Sequence, residues 1–174
     1  MLAGLLPAAA CAAPAPAPQP GSATVTLSLI SQSGEPVEAG TVAFRDTAWG
    51  VLVEPQLHGL AVGPHAAHVH VNPDCGSMSH GDHFMPAAAA GDHYDPGGTG
   101  VHAGPYGAGH LGDLPNLLVE ADGEAKIPVL APRLKAADLR GRALIIHAGA
   151  DRYSGQAAHG HGSGGARMYC GVIR

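Results

Sequence analysis

The chain has 174 residues, a formal net charge of -5, 13% charged residues, 26 glycines and 15 prolines. That length allows one domain with its own core, and so much Gly and Pro favours many turns over long helices. Lys and Arg are few and form no basic stripe, which argues against nucleic acid as a partner.

Residues 1–11 are apolar and end in Cys11, and they are too short to span a bilayer, which needs about 20 apolar residues. They look like the end of a secretory signal. Small residues before Cys11 resemble the lipobox of bacterial lipoproteins, although Ala8 stands where Leu is usual and no basic residue precedes Arg45. A lipid anchor to the membrane through Cys11 is the expectation, against a frayed terminus without targeting meaning. Alternating Ala and Pro through Pro20 suit a semi-extended tether. Residues 1–22 are therefore expected as leader and tether, and 23–174 as the folded domain.

In residues 23–30, Val25, Leu27 and Leu29 fall on one face and Thr24, Thr26 and Ser28 on the other, the pattern of a half-buried strand. A turn at 33–36 leads into 41–45, and 50–54 begins a third extended piece with Pro55 at an edge or bulge. Residues 66–71 form a fourth. Residues 116–120 and 125–130 flank Ala121-Asp122-Gly123-Glu124, a hairpin turn signal. A short helical turn is expected within 132–139, and 142–147 and 168–173 supply the last strands. Eight short strands with two long loops describe an all-β antiparallel sandwich or barrel.

Three cysteines allow one disulfide and one leftover. Cys75 and Cys170 lie in the folded region, so a Cys75–Cys170 bridge is expected, and with it an oxidising compartment. Two reduced thiols in a cytosolic protein, the competing reading, fit poorly with the leader.

His68 and His70 are one residue apart on an extended, valine-bearing segment, which points both imidazoles to one face. His93, His102, His110 and Asp113 follow in a Gly/Pro-rich stretch with little apolar periodicity, and a loop that long is held by something other than a core. With His147 these residues suit two metal sites sharing a ligand. If His93 used both ring nitrogens, it would join a copper-like set (His68, His70, His93, His147) to a zinc-like set (His93, His102, His110, Asp113). Spacing alone supports a metal site and does not choose this partition.

The segments His68-Val69-His70, Gly91-Asp92-His93-Tyr94-Asp95-Pro96, His110-Leu111-Gly112-Asp113-Leu114-Pro115-Asn116-Leu117, Ala131-Pro132-Arg133-Leu134, Ile146-His147-Ala148-Gly149 and Gly164-Gly165-Ala166-Arg167-Met168-Tyr169-Cys170-Gly171-Val172-Ile173 resemble the copper/zinc superoxide dismutase family. The resemblance is closer to its bacterial, secreted branch and runs from about residue 23 to the C-terminus. It implies an eight-stranded Greek-key barrel with long metal-binding and electrostatic loops. It also implies copper ligands His68, His70, His147 and bridging His93, zinc ligands His93, His102, His110 and Asp113, and an active-site arginine, Arg167. Asp151 matches the aspartate that hydrogen-bonds one ligand of each metal, here His68 and His102. His65 matches a structural histidine, and His58 reads as an ordinary surface or strand residue. The implied reaction is disproportionation of superoxide to dioxygen and hydrogen peroxide, in antioxidant defence outside the cytoplasm, in the periplasm or cell envelope.

Ala66-Ala67 stands where the family has Gly-Phe, Asp92 where it has glycine, and Tyr169 where it has a small residue; none removes a ligand. Asp92 is expected to face solvent. Met78, His80, His83 and Met85 lie between Cys75 and the bridging histidine, and His159 and His161 precede Arg167. Thioethers and imidazoles suit copper capture, so a weak copper-loading site is expected at the first four, with the other two near the channel mouth. Solvated loops that happen to carry His and Met are the competing reading. Arg152 is the only basic residue from Asp151 to Ala166. Imidazoles add positive charge only in acid, so a rate rising below roughly pH 6.5 is expected. A copper-delivery module of the same fold with little dismutase activity is the alternative function, and an inert structural envelope protein a further one. A homodimer is the oligomer to test for.

Overall fold

The computed structural model describes residues 20–31, 36–154 and 164–174. Cys11, the turn at 33–36 except Pro36, His159 and His161 lie outside them.

The chain is all-β, as its alternation predicts. Strands β1 (Ser22–Leu29), β2 (Val37–Thr47) and β3 (Gly50–Leu57) come first, followed by β4 (Gly63–His65) and β5 (Ala67–His70), which split the expected fourth strand at Ala66. Two short strands, β6 (Met78–His80) and β7 (His83–Met85), were not anticipated as strands. Strands β8 (Leu117–Val119), β9 (Val129–Ala131), β10 (Ala143–His147) and β11 (Arg167–Val172) follow, with helix α1 (Ala136–Leu139) inside the expected helical turn. One antiparallel sheet runs β5-β10-β11-β1-β2-β3-β9, while β4 pairs with β8 and β6 with β7.

The main sheet curls around one core. Alternate residues of β1, β2 and β3, including Val25, Leu27, Val42, Phe44, Val51 and Val53, meet Leu117 and Val119 of β8 and Leu144 and Ile146 of β10 there. Pro55 is buried opposite Val42, between the β9 pairing that ends at Val53 and an isolated bridge from Leu57 to Ala125. It occupies a lapse in the second ladder, where a missing N–H costs least.

The expected hairpin across 121–124 is corrected. The tight turn exists, with Gly123 N–H donating to Glu120 O at 3.0 Å, but the flanking strands part: β8 joins β4 and β9 joins β3. Burying the apolar faces on opposite walls of the barrel overrides the local turn preference.

Every residue of β10 is buried. Leu144 and Ile146 enter the main core, whereas Ala143 and Ile145 pack with Ala87, Ala90 and Cys170 in a second cluster beneath the segment that follows β5. The disulfide Cys75–Cys170, spanning 95 residues, ties that segment to β11.

Candidate metal centre

Strand alternation decides where the first two histidines point. Ala67 and Val69 enter the core, so His68 and His70 leave through the opposite face. On β10, a register shift between Ile146 and His147 sets His147 opposite Arg167 and beside His68, with ring centroids 4.8 Å apart. Bulges often re-aim side chains in this way beside functional sites.

The loop after β7 is stitched to the free edge of β5. Tyr94 N–H donates to Val69 O and Val69 N–H to Gly112 O, both at 2.8 Å, and isolated bridges pair His70 with His93 and His68 with Asp113. A Cβ on Gly112 would sit 2.3 Å from Val69 O, so only glycine allows this approach. Loop histidines are thereby brought to strand histidines by backbone bonds, with no apolar periodicity needed.

Hydrogen bonds fix the tautomers. His70 Nδ1–H donates to Gly91 O and His147 Nδ1–H to Gly165 O, each at 2.9 Å, while His68 Nε2–H donates to Asp151 Oδ2 at 2.9 Å. A carbonyl or carboxylate can only accept, so the opposite nitrogen of each neutral ring keeps its lone pair. Burial holds these rings neutral: His68 is pushed down to about 3, His147 to about 4 and His70 well below its ordinary value.

His93 connects two halves. Its ring lies 4.0 Å from that of His68 and 5.0 Å from that of His70, between centroids, while its Nδ1 is 2.8 Å from Asp113 Oδ1. His102 Nδ1 lies 3.0 Å from Asp113 Oδ2 and His110 Nδ1 lies 3.5 Å from Asp113 Oδ1. Burial alone would raise the Asp113 carboxyl, but hydrogen bonds with His102 and His93 hold it well below the usual range. Asp151 spans both halves, accepting from His68 and from His102 Nε2, the latter at 2.8 Å. Burial lowers His102, and its bonds to Asp113 and Asp151 outweigh that and raise it to about 9.

Ligand atoms of His68, His70, His93 and His147 lie within 4.8 Å of one another, as do those of His68, His93, His102 and Asp113. His68 falls in the second group by proximity, yet its nitrogens face His147 and Asp151. His110, outside that group, faces Asp113 instead. Arg167, opposite His147 in the ladder, is held beside the first group: its Nη1 donates to Ala87 O at 2.7 Å and its Nη2 to Gly91 O at 2.9 Å.

Residues 38–173 match the family model for copper/zinc superoxide dismutase (SODC). The chain belongs to the copper/zinc superoxide dismutase family. It is 49% identical over 140 residues to a Cu-Zn superoxide dismutase of Legionella pneumophila, covering 80% of each. Among solved structures it resembles the Cu/Zn superoxide dismutase of Brucella abortus, with 42% identity and a TM-score of 0.81, over 88% of this chain and 99% of that one. The monomeric copper, zinc superoxide dismutase of Salmonella enterica is similar at 43% identity and a TM-score of 0.76, with the same coverage of 88% and 99%.

The copper/zinc superoxide dismutase family uses copper and zinc, and the donor set here fits both. His70 Nε2 is buried with no hydrogen-bond partner. The lone pairs of His68 Nδ1 and His147 Nε2 face each other at 3.1 Å, an arrangement that calls for a cation between them. All-imidazole donors suit copper, and three imidazoles with one carboxylate suit zinc.

His65 is structural, as expected: Nδ1 faces His147 O and Nε2 faces Ala61 O, both at 2.7 Å. His58 and Asp92 are exposed. Sequence reasoning assigned no role to Asn116, Arg133 or Tyr153. Asn116 exchanges two bonds with the Asp151 backbone, at 2.9 and 2.8 Å, and its N–H donates to Tyr153 Oη at 2.6 Å. Arg133 donates to Gly109 O and His110 O at 2.8 and 2.7 Å, holding the loop backbone at a ligand. Asn116 and Arg133 lie inside the family-like segments 110–117 and 131–134, which was the available signal; Tyr153 left none.

Proposed function

We propose that this chain disproportionates superoxide: two superoxide anions and two protons give one dioxygen and one hydrogen peroxide. The observation that carries the reading is the convergence of His68, His70, His93 and His147 beside an anchored guanidinium, with His93, His102 and His110 turned to Asp113.

In this reading His68, His70, His93 and His147 hold copper, and His93, His102, His110 and Asp113 hold zinc, with His93 shared. Copper supplies a one-electron redox couple and zinc a fixed positive charge. Arg167 uses two N–H groups on carbonyls, which leaves the remaining donors of a rigid fork to attract and orient a small anion. His93 Nδ1 is committed on the Asp113 side, so Nε2 is the atom that holds a proton and delivers it to the forming peroxide. Asp151 fixes the tautomers of His68 and His102 and couples the two sites. A missing ligand or arginine would have favoured the copper-delivery reading, and neither is missing.

The disulfide suits an oxidising compartment, and with the leader-like residues 1–22 it supports an extracytoplasmic location in periplasm or envelope, for a folded domain of 23–174. Attachment through a lipidated Cys11 and a homodimeric state belong to the same proposal. Pulse-radiolysis measurement of superoxide decay on protein reconstituted with both metals tests the activity. Decay no faster than with the copper-free form would refute it.

A further inference from the structure

The short strands β6 and β7 form a two-residue hairpin whose register is Met78 opposite Met85, Ser79 opposite Phe84 and His80 opposite His83. Successive side chains of a strand point to opposite faces, so Met78 and His80 share a face of β6, and His83 and Met85 the matching face of β7. Directly opposite residues have Cβ atoms roughly 4.5–5.5 Å apart. Two thioethers and two imidazoles therefore form one four-donor patch, with Ser79 and Phe84 on the other side.

The patch is open to solvent, and on the other face Ser79 is exposed too. Phe84 is partly buried, while Met78, His80, His83 and Met85 are all exposed, Met78 at 50% and Met85 at 42%. Neither methionine belongs to either hydrophobic core cluster. Gly81, at φ 61 in the first turn position, makes the tight reversal that brings His80 and His83 face to face. The base is held: Cys75 is bonded to Cys170, Ala89 N–H donates to Gly76 O at 2.9 Å, and Ala87 N–H donates to Ser77 Oγ at 3.1 Å. Ala87 O also accepts from Arg167, so the patch lies two residues from the carbonyl that positions the arginine.

We propose that Met78, His80, His83 and Met85 form a second, surface copper site selective for Cu(I), separate from the buried imidazole centre. Thioethers with imidazoles prefer soft Cu(I), whereas zinc at a surface site favours imidazole, thiolate or carboxylate donors. Such a site takes up copper ions on the segment that also anchors Arg167.

Anaerobic titration of Cu(I) against a chromophoric Cu(I) chelator, into reduced protein already loaded with copper and zinc, tests this. The expected result is one further equivalent of Cu(I) bound per chain, with copper–sulfur scattering in X-ray absorption that the all-nitrogen buried site does not supply. The Met78→Leu/Met85→Leu variant, which keeps the hairpin's apolar bulk, is expected to weaken that equivalent by roughly tenfold or more and to remove the sulfur signal. Ser79→Ala, on the opposite face, is expected to leave both unchanged. No further equivalent in the parent protein, or undiminished uptake in the methionine variant, overturns the proposal.

Discussion

His70 and Arg167 are anchored to the same atom: His70 Nδ1–H and Arg167 Nη2–H both donate to Gly91 O, each at 2.9 Å. An imidazole of the four-histidine set and the Arg167 guanidinium thus share one reference point. Gly91 adopts φ 74, and a Cβ there would meet Val71 Cγ2 at 2.9 Å, so this carbonyl is aimed by a residue that only glycine fills without strain.

Arg167→Lys is expected to slow superoxide decay while leaving copper and zinc content intact, because an ammonium lacks the planar fork that spans Ala87 O and Gly91 O. Arg167→Ala is expected to cost more, roughly 10- to 100-fold. Pulse radiolysis with metal analysis on the same samples reads both, and equal rates in parent and variants would exclude the assigned role.

Asp151→Asn changes an acceptor shared by His68 and His102. Replacing an outer partner of metal ligands typically weakens affinity by about 10–100-fold, and that loss is expected here for zinc in a chelator competition. Asn116→Ala should produce a smaller effect in the same direction, since Asn116 holds only the Asp151 backbone.

For the metal-free protein, acid instability follows from His68 and His147, lowered from 6.5 to about 3 and about 4. Between those values and 6.5 the unfolded chain takes up protons that the folded chain refuses, so stability rises with pH across this window and is lost on acidification, by about 1 kcal/mol per pH unit for each proton. His102 has the opposite sign: raised to about 9, it contributes stability present below 6.5 and lost as pH rises through 9. Urea unfolding at a series of pH values is expected to show both limbs; a flat midpoint between pH 4 and 6.5 would contradict the acid limb.

Removing the disulfide as Cys75→Ser/Cys170→Ser opens a loop of 95 residues and is expected to cost about 2–5 kcal/mol in denaturant unfolding. The same change frees the segment that carries Ala87 O and Gly91 O, so the dismutation rate of the folded variant is expected to fall even where its ligands remain.

Local periodicity was enough to find β1, with Val25 and Leu27 inward, and to place His68 and His70 on one face, because alternation is a property of neighbouring residues. The types and spacings of the histidines and Asp113 likewise announced metal. They did not say which nitrogen of each ring stays free, that His110 faces Asp113 while His68 faces His147 and Asp151, or that Gly91 O serves both His70 and Arg167, 76 residues apart from the latter. Nor did they foresee that β8 and β9 separate after a tight turn. The sequence by itself determined the candidate donors and the strand faces. Tertiary closure alone decided the pairing of walls, the tautomers and the anchoring of the arginine, because each depends on groups delivered from segments distant in sequence, and local spacing carries no record of those.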